Sequence, residues 1–286
     1  MSGSAGVGPT VAFLGAGTMG GPMARNVAAA GLPTRVWNRS HERAEALADV
    51  ATVVDSPQEA VAGADVVVTM LFDADSVASV VEGLEVTPGT PWVQCSTVGA
   101  EGSDRLAALA ERLGLVYVDA PVLGTRQPAE DGSLVVLASG EESVRPRVEP
   151  VLDAVGQRTL WVGAAGAGSR LKLACNAWVL TVVQGVAESL ALTRELGLDP
   201  QLFLDAIEGS AVAAPYVGIK GAAMLAGDTT MSFALAGAVK DAGLIRRAAE
   251  DAGLDLALVP QVERAMQRGL DAGLGEEDMG ATYRVL

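Results

Sequence analysis

A glycine-rich turn near the start of the chain constrains the fold more than any other feature of the sequence. An apolar run at 10–14 leads directly into Gly15-Ala-Gly-Thr-Met-Gly20, a helical pattern follows to about residue 30, and residues 34–37 have the pattern of a second strand. Strand, glycine turn, helix and strand within about 30 residues form the context that a dinucleotide-binding fingerprint requires. The motif therefore predicts a Rossmann-type domain.

Each glycine of this turn has its own physical role. Gly15 permits the tight turn, Gly17 lets the backbone approach a pyrophosphate, and Gly20 lets the helix pack closely against the strand. Thr18 and Met19 lie between them, where the helix start offers free N–H groups and the positive end of its dipole to phosphates. We expect these five residues to bind the cofactor.

The end of the second strand indicates which dinucleotide is bound. A carboxylate there would accept a hydrogen bond from the ribose 2′-hydroxyl of NAD, but the sequence has Asn38-Arg39-Ser40. Arg39 can pair with a 2′-phosphate and lie against adenine, and Asn38 and Ser40 offer further hydrogen bonds. The sequence predicts NADP(H) in preference to NAD. Arg43 could help, although a solvated helix charge is its simpler interpretation.

Strand and helix patterns alternate through residues 1–165, which we assign to one domain. Further strands are predicted at 52–54, 65–70, 91–95 and 115–119. Such alternation is typical of a doubly wound, mostly parallel sheet with helices on both faces. Asp131-Gly132 predicts a turn, and 134–138 predicts a returning strand, which together indicate a hairpin-like insertion.

Ligands of such a sheet collect at the carboxyl ends of its strands. These ends carry Leu71, Thr97 and the loop 119–125. Packing is the simpler interpretation of Leu71, and Thr97 could equally cap the helix that follows it.

The middle of the chain places polar residues on an apolar helix. A helical pattern begins at Gly168 and continues to about Leu196. Lys172 and Asn176 lie four positions apart, and therefore on one face of this helix. Alone, a lysine with a buried stem and a solvated ammonium is the simpler interpretation. An unpaired buried charge is expensive, so a lysine on this apolar helix needs a reason to be there. The cofactor site predicted in the first half of the chain supplies that reason and favours a catalytic lysine.

The second half of the chain, residues 166–286, has helical patterns throughout. Its helices are rich in Ala and Leu on more than one face, which is more than a single covered layer requires. We therefore expect a homodimer or higher homo-oligomer. Trp178 is predicted to be a core residue.

Composition narrows the class of protein. A net charge of −15 argues against a nucleic-acid partner or an acidic membrane surface. Cys95 and Cys175 have apolar or strand-like neighbours, which predicts neither a disulfide framework nor a metal site. The apolar run 173–183 is too short and too polar to cross a bilayer, and the start of the chain lacks a signal-peptide pattern. We expect a cytoplasmic protein.

Four motifs follow one another along the chain. They are Gly15–Asn26, Asp119–Thr125 with Asp131-Gly132, Gly168–Lys172 with Asn176, and Lys240-Asp241. Together they resemble the β-hydroxyacid dehydrogenase family over essentially the whole chain. Segments 124–132 and 273–278 are similar to its glyoxylate and succinic semialdehyde reductase branch more than to 3-hydroxyisobutyrate dehydrogenases. The resemblance implies a Rossmann domain, a long inter-domain helix and a helical domain that mediates dimerisation.

The resemblance also implies roles for individual residues. Lys172 would be the catalytic lysine, and Asn176 would be its neighbour in the substrate pocket. Cofactor contacts are implied at Leu71, Thr97 and Lys240, and positions that line or support the cleft at Phe233 and Asp241.

The substrate loop departs from the family pattern at one position. Leu123 stands where the family normally has a serine that hydrogen-bonds the substrate carboxylate or carbonyl. The N–H groups of Gly124 and Thr125, and the Thr125 hydroxyl, could still receive an anion. We expect weaker recognition of a small carboxylate, or a larger and less polar substrate.

The predicted reaction is hydride transfer between NADP(H) and a small aldehyde or β-hydroxy acid, such as glyoxylate or succinic semialdehyde. Protonated Lys172 is the best candidate for the general acid, and burial should depress its pKa toward the working pH. The only histidine, His41, is predicted at the surface. Two alternatives stay open: reduction of a C=N bond, which Leu123 suits but Lys172 argues against, and a cofactor-binding interaction protein without catalysis.

Overall fold

The computed structural model describes residues 8–286. The chain divides into two compact units, a first that ends at Lys172 and a second, Leu173–Leu286. One helix, Ala167–Glu195, belongs to both units. The boundary expected after residue 165 lies just before this helix, whereas the units divide inside it.

A six-stranded parallel sheet forms the centre of the first unit. Its elements are β1 (Val11–Leu14), α1 (Gly20–Ala29), β2 (Thr34–Trp37), α2 (His41–Glu45), β3 (Thr52–Val53), α3 (Pro57–Val61), β4 (Val66–Thr69), α4 (Ala74–Val81), β5 (Pro91–Gln94), α5 (Gly99–Leu113) and β6 (Val116–Asp119). The strand order is β3-β2-β1-β4-β5-β6, and every pairing is parallel. The predicted doubly wound α/β fold is confirmed.

The strands are apolar on both faces because helices cover both faces of the sheet. In β1, Val11 and Phe13 join one apolar cluster, and Ala12 and Leu14 join the other. All four side chains are fully buried. The glycine turn directly follows Leu14, the last residue of β1, and therefore lies at the carboxyl edge of the sheet.

A second, three-stranded sheet completes the first unit. Its strands are β7 (Val122–Leu123), β8 (Leu134–Ala138) and β9 (Gly156–Trp161). The helices α6 (Arg126–Glu130) and α7 (Arg145–Val155) connect them. The antiparallel pairing of β7 with β8 confirms the hairpin-like insertion. The sequence patterns did not reveal that β9 pairs in parallel with β8, in a sheet separate from the main one.

The second unit is helical, as predicted. Its elements are the greater part of α8 (Ala167–Glu195), then α9 (Gln201–Ile207), α10 (Pro215–Ala226), α11 (Leu235–Asp251), α12 (Val259–Asp271) and a closing 3₁₀ helix (Met279–Val285). The prediction that Trp178 is a core residue is wrong, because 67% of Trp178 is exposed. Apolar periodicity marks this tryptophan as an inward residue, but no part of the second unit covers it.

By length and apolar composition alone, α8 could cross a membrane, although 44% of its most apolar window is buried inside the protein. Its polar residues have protein partners: Lys172 bonds to Val122 O, Asn176 to Asp241, and Gln184 to Thr282. A core helix of a soluble fold has these properties, whereas in lipid such polar side chains are costly.

Candidate active site

The glycine turn has the geometry that its sequence predicts. Gly15 has a φ of 112°, and a Cβ there would overlap the carbonyl oxygen of Met70. A Cβ on Gly20 would overlap the carbonyl oxygen of Gly15. At Gly17 the nearest atom to an added Cβ is a guanidinium nitrogen of Arg43, 4.0 Å away. Two of the glycines are therefore required by the protein itself, and the third leaves open space above the turn.

The start of α1 fits an anionic ligand. The helix begins at Gly20, the preceding Met19 provides no side-chain cap, and the first turn carries no acidic residue. Backbone N–H groups at such a helix start bind phosphates together with the helix dipole. The turn therefore fits the pyrophosphate of a dinucleotide, and contacts from Thr18 and Met19 stay a prediction.

Asn38 braces the turn from the end of β2. Its Oδ1 accepts the Ala16 N–H at 2.9 Å, and its Nδ2 donates to the Ser40 carbonyl at 2.9 Å. Arg39 and Ser40 are exposed, so their predicted contacts with a 2′-phosphate stay predictions. His41 is also exposed, 3.5 Å from the carboxylates of Glu45 and Asp55, which confirms its surface position.

The loops after β4 and β5 lie beside the glycine turn. Leu71 donates its N–H to the Ser96 hydroxyl at 2.8 Å, and its Cδ2 is 2.9 Å from the point that a Cβ on Gly15 would occupy. Thr97 is half-buried, and Val98 is the residue immediately before α5. These positions fit cofactor contacts at the carboxyl edge of the sheet, and those contacts stay predictions.

The predicted substrate loop follows β7. Leu123 is half-buried and pairs in register with Val135. Gly124 has a φ of 127°, and Thr125 precedes α6 without capping it through its side chain. The backbone after Leu123 therefore turns sharply, and a side chain at position 124 would meet Leu134 at 2.6 Å.

Lys172 lies against this loop. Only 8% of the residue is exposed, and its Nζ donates to the carbonyl oxygen of Val122 at 2.7 Å. The interpretation in which its ammonium lies in water is therefore wrong. Because Leu123 directly follows Val122, the amine is fixed at the base of the predicted substrate loop.

A second polar cluster lies in the second unit. The Asn176 Nδ2 donates to Asp241 Oδ2 at 2.7 Å, and the other carboxylate oxygen is 2.9 Å from the Lys240 Nζ. Asn176 and Asp241 are each 2% exposed. Asp241 thus fixes the side chain of Asn176, which lies one helical turn after Lys172 on α8.

Phe233 is held at the start of α11 by groups that the sequence patterns did not single out. Its N–H donates to Asp278 Oδ2 at 3.2 Å, and its ring packs on Gly237, where a Cβ would lie 2.9 Å from the ring. Asp278 forms a buried ion pair with Lys220 at 2.6 Å. The signal for this pair was a lone lysine within an apolar helix, the same signal that drew attention to Lys172.

Sequence comparison gives two family matches that together span nearly the whole chain. Residues 10–163 match the NAD-binding domain of 6-phosphogluconate dehydrogenase, and residues 166–286 match the NAD-binding region of NADP-dependent 3-hydroxyisobutyrate dehydrogenase. The chain belongs to the β-hydroxyacid dehydrogenase family.

Relatives along the full length agree with this family. Glyoxylate/succinic semialdehyde reductase 2 of Arabidopsis thaliana is 30% identical over 97% of this chain and 79% of its own. A solved Mycobacterium tuberculosis 3-hydroxyisobutyrate dehydrogenase with L-serine is 30% identical, with a TM-score of 0.87 over 97% of this chain and 99% of that chain. The 3-hydroxyisobutyrate dehydrogenase of Salmonella typhimurium is 28% identical, with a TM-score of 0.89 over 97% and 99%.

This β-hydroxyacid dehydrogenase is therefore an NAD(P)-dependent oxidoreductase. Its nicotinamide cofactor fits the glycine turn, and its relatives are named for reactions of small hydroxy acids and aldehydes. The alternative of an interaction protein without catalysis finds no support among these relatives.

Proposed function

We propose that the protein is an NADP(H)-dependent reductase of small aldehydes, with glyoxylate or succinic semialdehyde as models of its substrate, and that Lys172 is the general acid. The observation that carries this proposal is the buried amine of Lys172, held at 2.7 Å by the Val122 carbonyl beside the substrate loop. Two of the relatives are glyoxylate/succinic semialdehyde reductases of Arabidopsis thaliana, which supports the substrate class.

The chemistry divides between cofactor and protein. A bound, reduced nicotinamide would supply the hydride that the carbonyl carbon receives. Lys172 gives a proton from its ammonium to the carbonyl oxygen, and in the oxidative direction its neutral amine takes the hydroxyl proton. Asn176 lies one turn further along the same helix face and orients the substrate oxygen, with its own amide fixed by Asp241. Lys240 would hold the nicotinamide end of the cofactor, and Phe233 would border the substrate.

The preference for NADP(H) is supported by charge. The tip of β2 has no carboxylate, Arg39 is exposed there, and the Arg43 guanidinium lies beside Gly17. Guanidinium groups pair with a 2′-phosphate in a bidentate manner. Substrate preference is shaped by Leu123, which offers an apolar surface next to the amine. The N–H groups of Gly124 and Thr125 are left to bind a carboxylate.

We further propose a cytoplasmic homodimer formed through the second unit. Nine of its large apolar side chains are more than half exposed: Trp178, Leu192, Leu196, Leu198, Leu202, Val212, Ile219, Leu254 and Leu258. Exposed apolar side chains in such number are typical of an interaction surface. Light scattering after size exclusion measures the assembly, and a monomer at micromolar concentration would contradict this proposal.

The reaction is tested by a substrate panel with both cofactors. We expect oxidation of NADPH, faster than of NADH, with glyoxylate or succinic semialdehyde. A cyclic imine belongs in the same panel because Leu123 suits a less polar substrate. Faster turnover of the imine than of every aldehyde would replace the proposed reaction with C=N reduction.

The role of the amine is tested by Lys172→Met, which keeps most of the side-chain volume. We expect kcat to fall about 10³-fold, as for the loss of a general acid, while NADPH binding measured by fluorescence stays within about threefold. Leu171→Ala, at the neighbouring and more exposed position on α8, is the matched control and should keep kcat within about twofold. Near-native turnover by Lys172→Met would refute the assignment.

A further inference from the structure

Asp119 is a fully buried carboxylate whose hydrogen-bond partners are uncharged. It ends β6 and is 0% exposed. Its Oδ2 accepts the Ser169 N–H at 2.7 Å, and its Oδ1 accepts the Ser169 hydroxyl at 2.7 Å. The Ser139 hydroxyl lies 3.2 Å from Oδ2. A buried charge needs such donors, since without them its desolvation is expensive.

These contacts hold the first turn of α8. The first N–H groups of a helix lack partners within the helix. Here the Gly168 N–H donates to the Ser139 hydroxyl at 2.9 Å, and the Ser169 N–H donates to Asp119. A Cβ on Gly168 would overlap the carbonyl oxygen of Leu137, so the helix starts directly against β8. The negative carboxylate also complements the positive end of the helix dipole.

The same two segments are joined again at Lys172. Val122 lies three residues after Asp119, and Lys172 lies three residues after Ser169. The carboxylate joins Asp119 to Ser169, and the amine joins Lys172 to Val122. Segment 119–122 and the start of α8 are thus connected twice, once through the Asp119 carboxylate and once through the Lys172 amine.

We propose that Asp119 is a positioning residue for the reaction: its carboxylate docks the first turn of α8 onto the end of β6 and thereby sets where the Lys172 amine lies beside Leu123. The proposal rests on the role proposed above for Lys172. Displacement of a catalytic group by about 1 Å can cost about 10²-fold in rate, so a docking contact at Ser169, three residues before Lys172 on the same helix, controls turnover.

Asp119→Asn tests the docking contact with little change in volume. An amide can accept from only one of the two Ser169 donors and turns its NH₂ toward the other, so the helix start must shift. We expect kcat per NADPH-binding site to fall about 10²-fold, with KM and NADPH affinity within about threefold. Asp104→Asn is the matched control, because Asp104 pairs with Arg170 in the same helical turn but at the surface. It should keep kcat within about twofold.

A spectroscopic readout separates positioning from general loss of stability. The chain contains only three lysines, at 172, 220 and 240, so selective ¹³Cε-lysine labelling gives three resolvable side-chain signals. Absence of one signal in Lys172→Met assigns Lys172. We expect Asp119→Asn to shift the Lys172 signal while the Lys220 and Lys240 signals stay in place, and Asp104→Asn to shift none.

Each outcome decides between the proposals. Suppose that Lys172→Met loses turnover. If Asp119→Asn then keeps a normal kcat, or leaves the Lys172 signal in place, the positioning role is overturned and the proposed function stays intact. Normal turnover in Lys172→Met refutes the proposed function itself. If Asp119→Asn does not fold, Ser169→Ala carries the same test. It removes one donor to the carboxylate and should lower kcat about tenfold with a smaller shift of the Lys172 signal, and its failure to do both overturns the proposal.

Discussion

Asp119 in the first unit and Asp278 in the second are both buried carboxyls, but their partners differ. Asp119 is bound by the hydroxyl and N–H groups of serines. Asp278 is bound by the ammonium of Lys220 at 2.6 Å, in addition to backbone N–H and hydroxyl donors. One unit therefore buries a charge among neutral donors, and the other buries a charge together with its counter-ion.

The pKa values of the two carboxyls shift in opposite directions for this reason. Burial raises the pKa of Asp119, and the hydrogen bonds from Ser169 and Ser139 only partly oppose it. Burial also opposes ionisation of Asp278, but the hydrogen bond and charge of Lys220, together with the hydrogen bonds from Gly280 and Ser232, outweigh it, so the pKa of Asp278 lies below its usual value. Asp278 is arranged to stabilise its unit, whereas Asp119 holds a helix start in place at some cost in stability.

The largest effect on stability is expected from Asp278→Asn. It leaves the Lys220 ammonium, 4% exposed, without its counter-ion, and breaking a buried pair from one side costs about 3–5 kcal/mol. Urea unfolding at pH 7 measures the loss. Asp119→Asn should cost clearly less, since it strands no buried cation.

Two further variants control this experiment. Asp205→Asn, on the surface of α9 where Gln201 donates to it, should change stability by less than about 0.5 kcal/mol. Adding Lys220→Met to Asp278→Asn should recover part of the loss, because no charge is then left buried. Equal losses for Asp278→Asn and Asp119→Asn would show that the two carboxyls do not differ as described.

These two carboxyls also show what the sequence can and cannot predict. The glycine turn and the parallel strands follow from signals within about 30 residues, and strand 34–37 has the predicted bounds. Asp119 and Ser169 are 50 positions apart, and Lys220 and Asp278 are 58 apart. No local pattern pairs such residues. Asp119 belongs to the motif Asp119–Thr125, but only the fold brings it together with Ser139 and Ser169.

The pH dependence of stability should separate the two carboxyls by sign. Since the pKa of Asp278 is lowered by folding, its ionised form stabilises the protein above the unfolded value, near 4, and this contribution is lost as the pH falls through the folded value. Since the pKa of Asp119 is raised, its ionisation costs stability, and the cost is incurred as the pH rises through the folded value. Each pKa unit by which the folded and unfolded states differ changes the free energy of unfolding by about 1.4 kcal/mol.

Urea unfolding of the variants from about pH 3.5 to 7 measures these contributions. Relative to the native protein, the deficit of Asp278→Asn should narrow toward low pH, and that of Asp119→Asn should widen. Asp205→Asn should run parallel to the native protein. Deficits that change in the same direction would contradict the assigned shifts.

The smallest effects are expected from two serines that each donate a hydroxyl hydrogen bond of 2.7 Å to one of these carboxylates. Ser232→Ala leaves Asp278 Oδ2 with the N–H groups of Ser232 and Phe233. It also removes the hydroxyl that accepts from the Lys220 ammonium at 3.0 Å, but that ammonium keeps Asp278 Oδ1 at 2.6 Å, so the loss should stay near roughly 0.5–1.5 kcal/mol, the range of an ordinary hydrogen bond. Ser169→Ala leaves a buried oxygen of Asp119 short of a donor, which costs about 1–3 kcal/mol.

Alanine is the better helix former by up to about 0.5 kcal/mol, and this gain partly hides the loss at Ser169, which lies within α8. Ser189→Ala in the same helix measures that gain. After this correction Ser169→Ala should remain the costlier change, because Asp119 has no cation that replaces the lost donor, whereas Asp278 has Lys220. If urea unfolding gave the reverse order, Asp278 and not Asp119 would be the carboxylate that depends more on its serine.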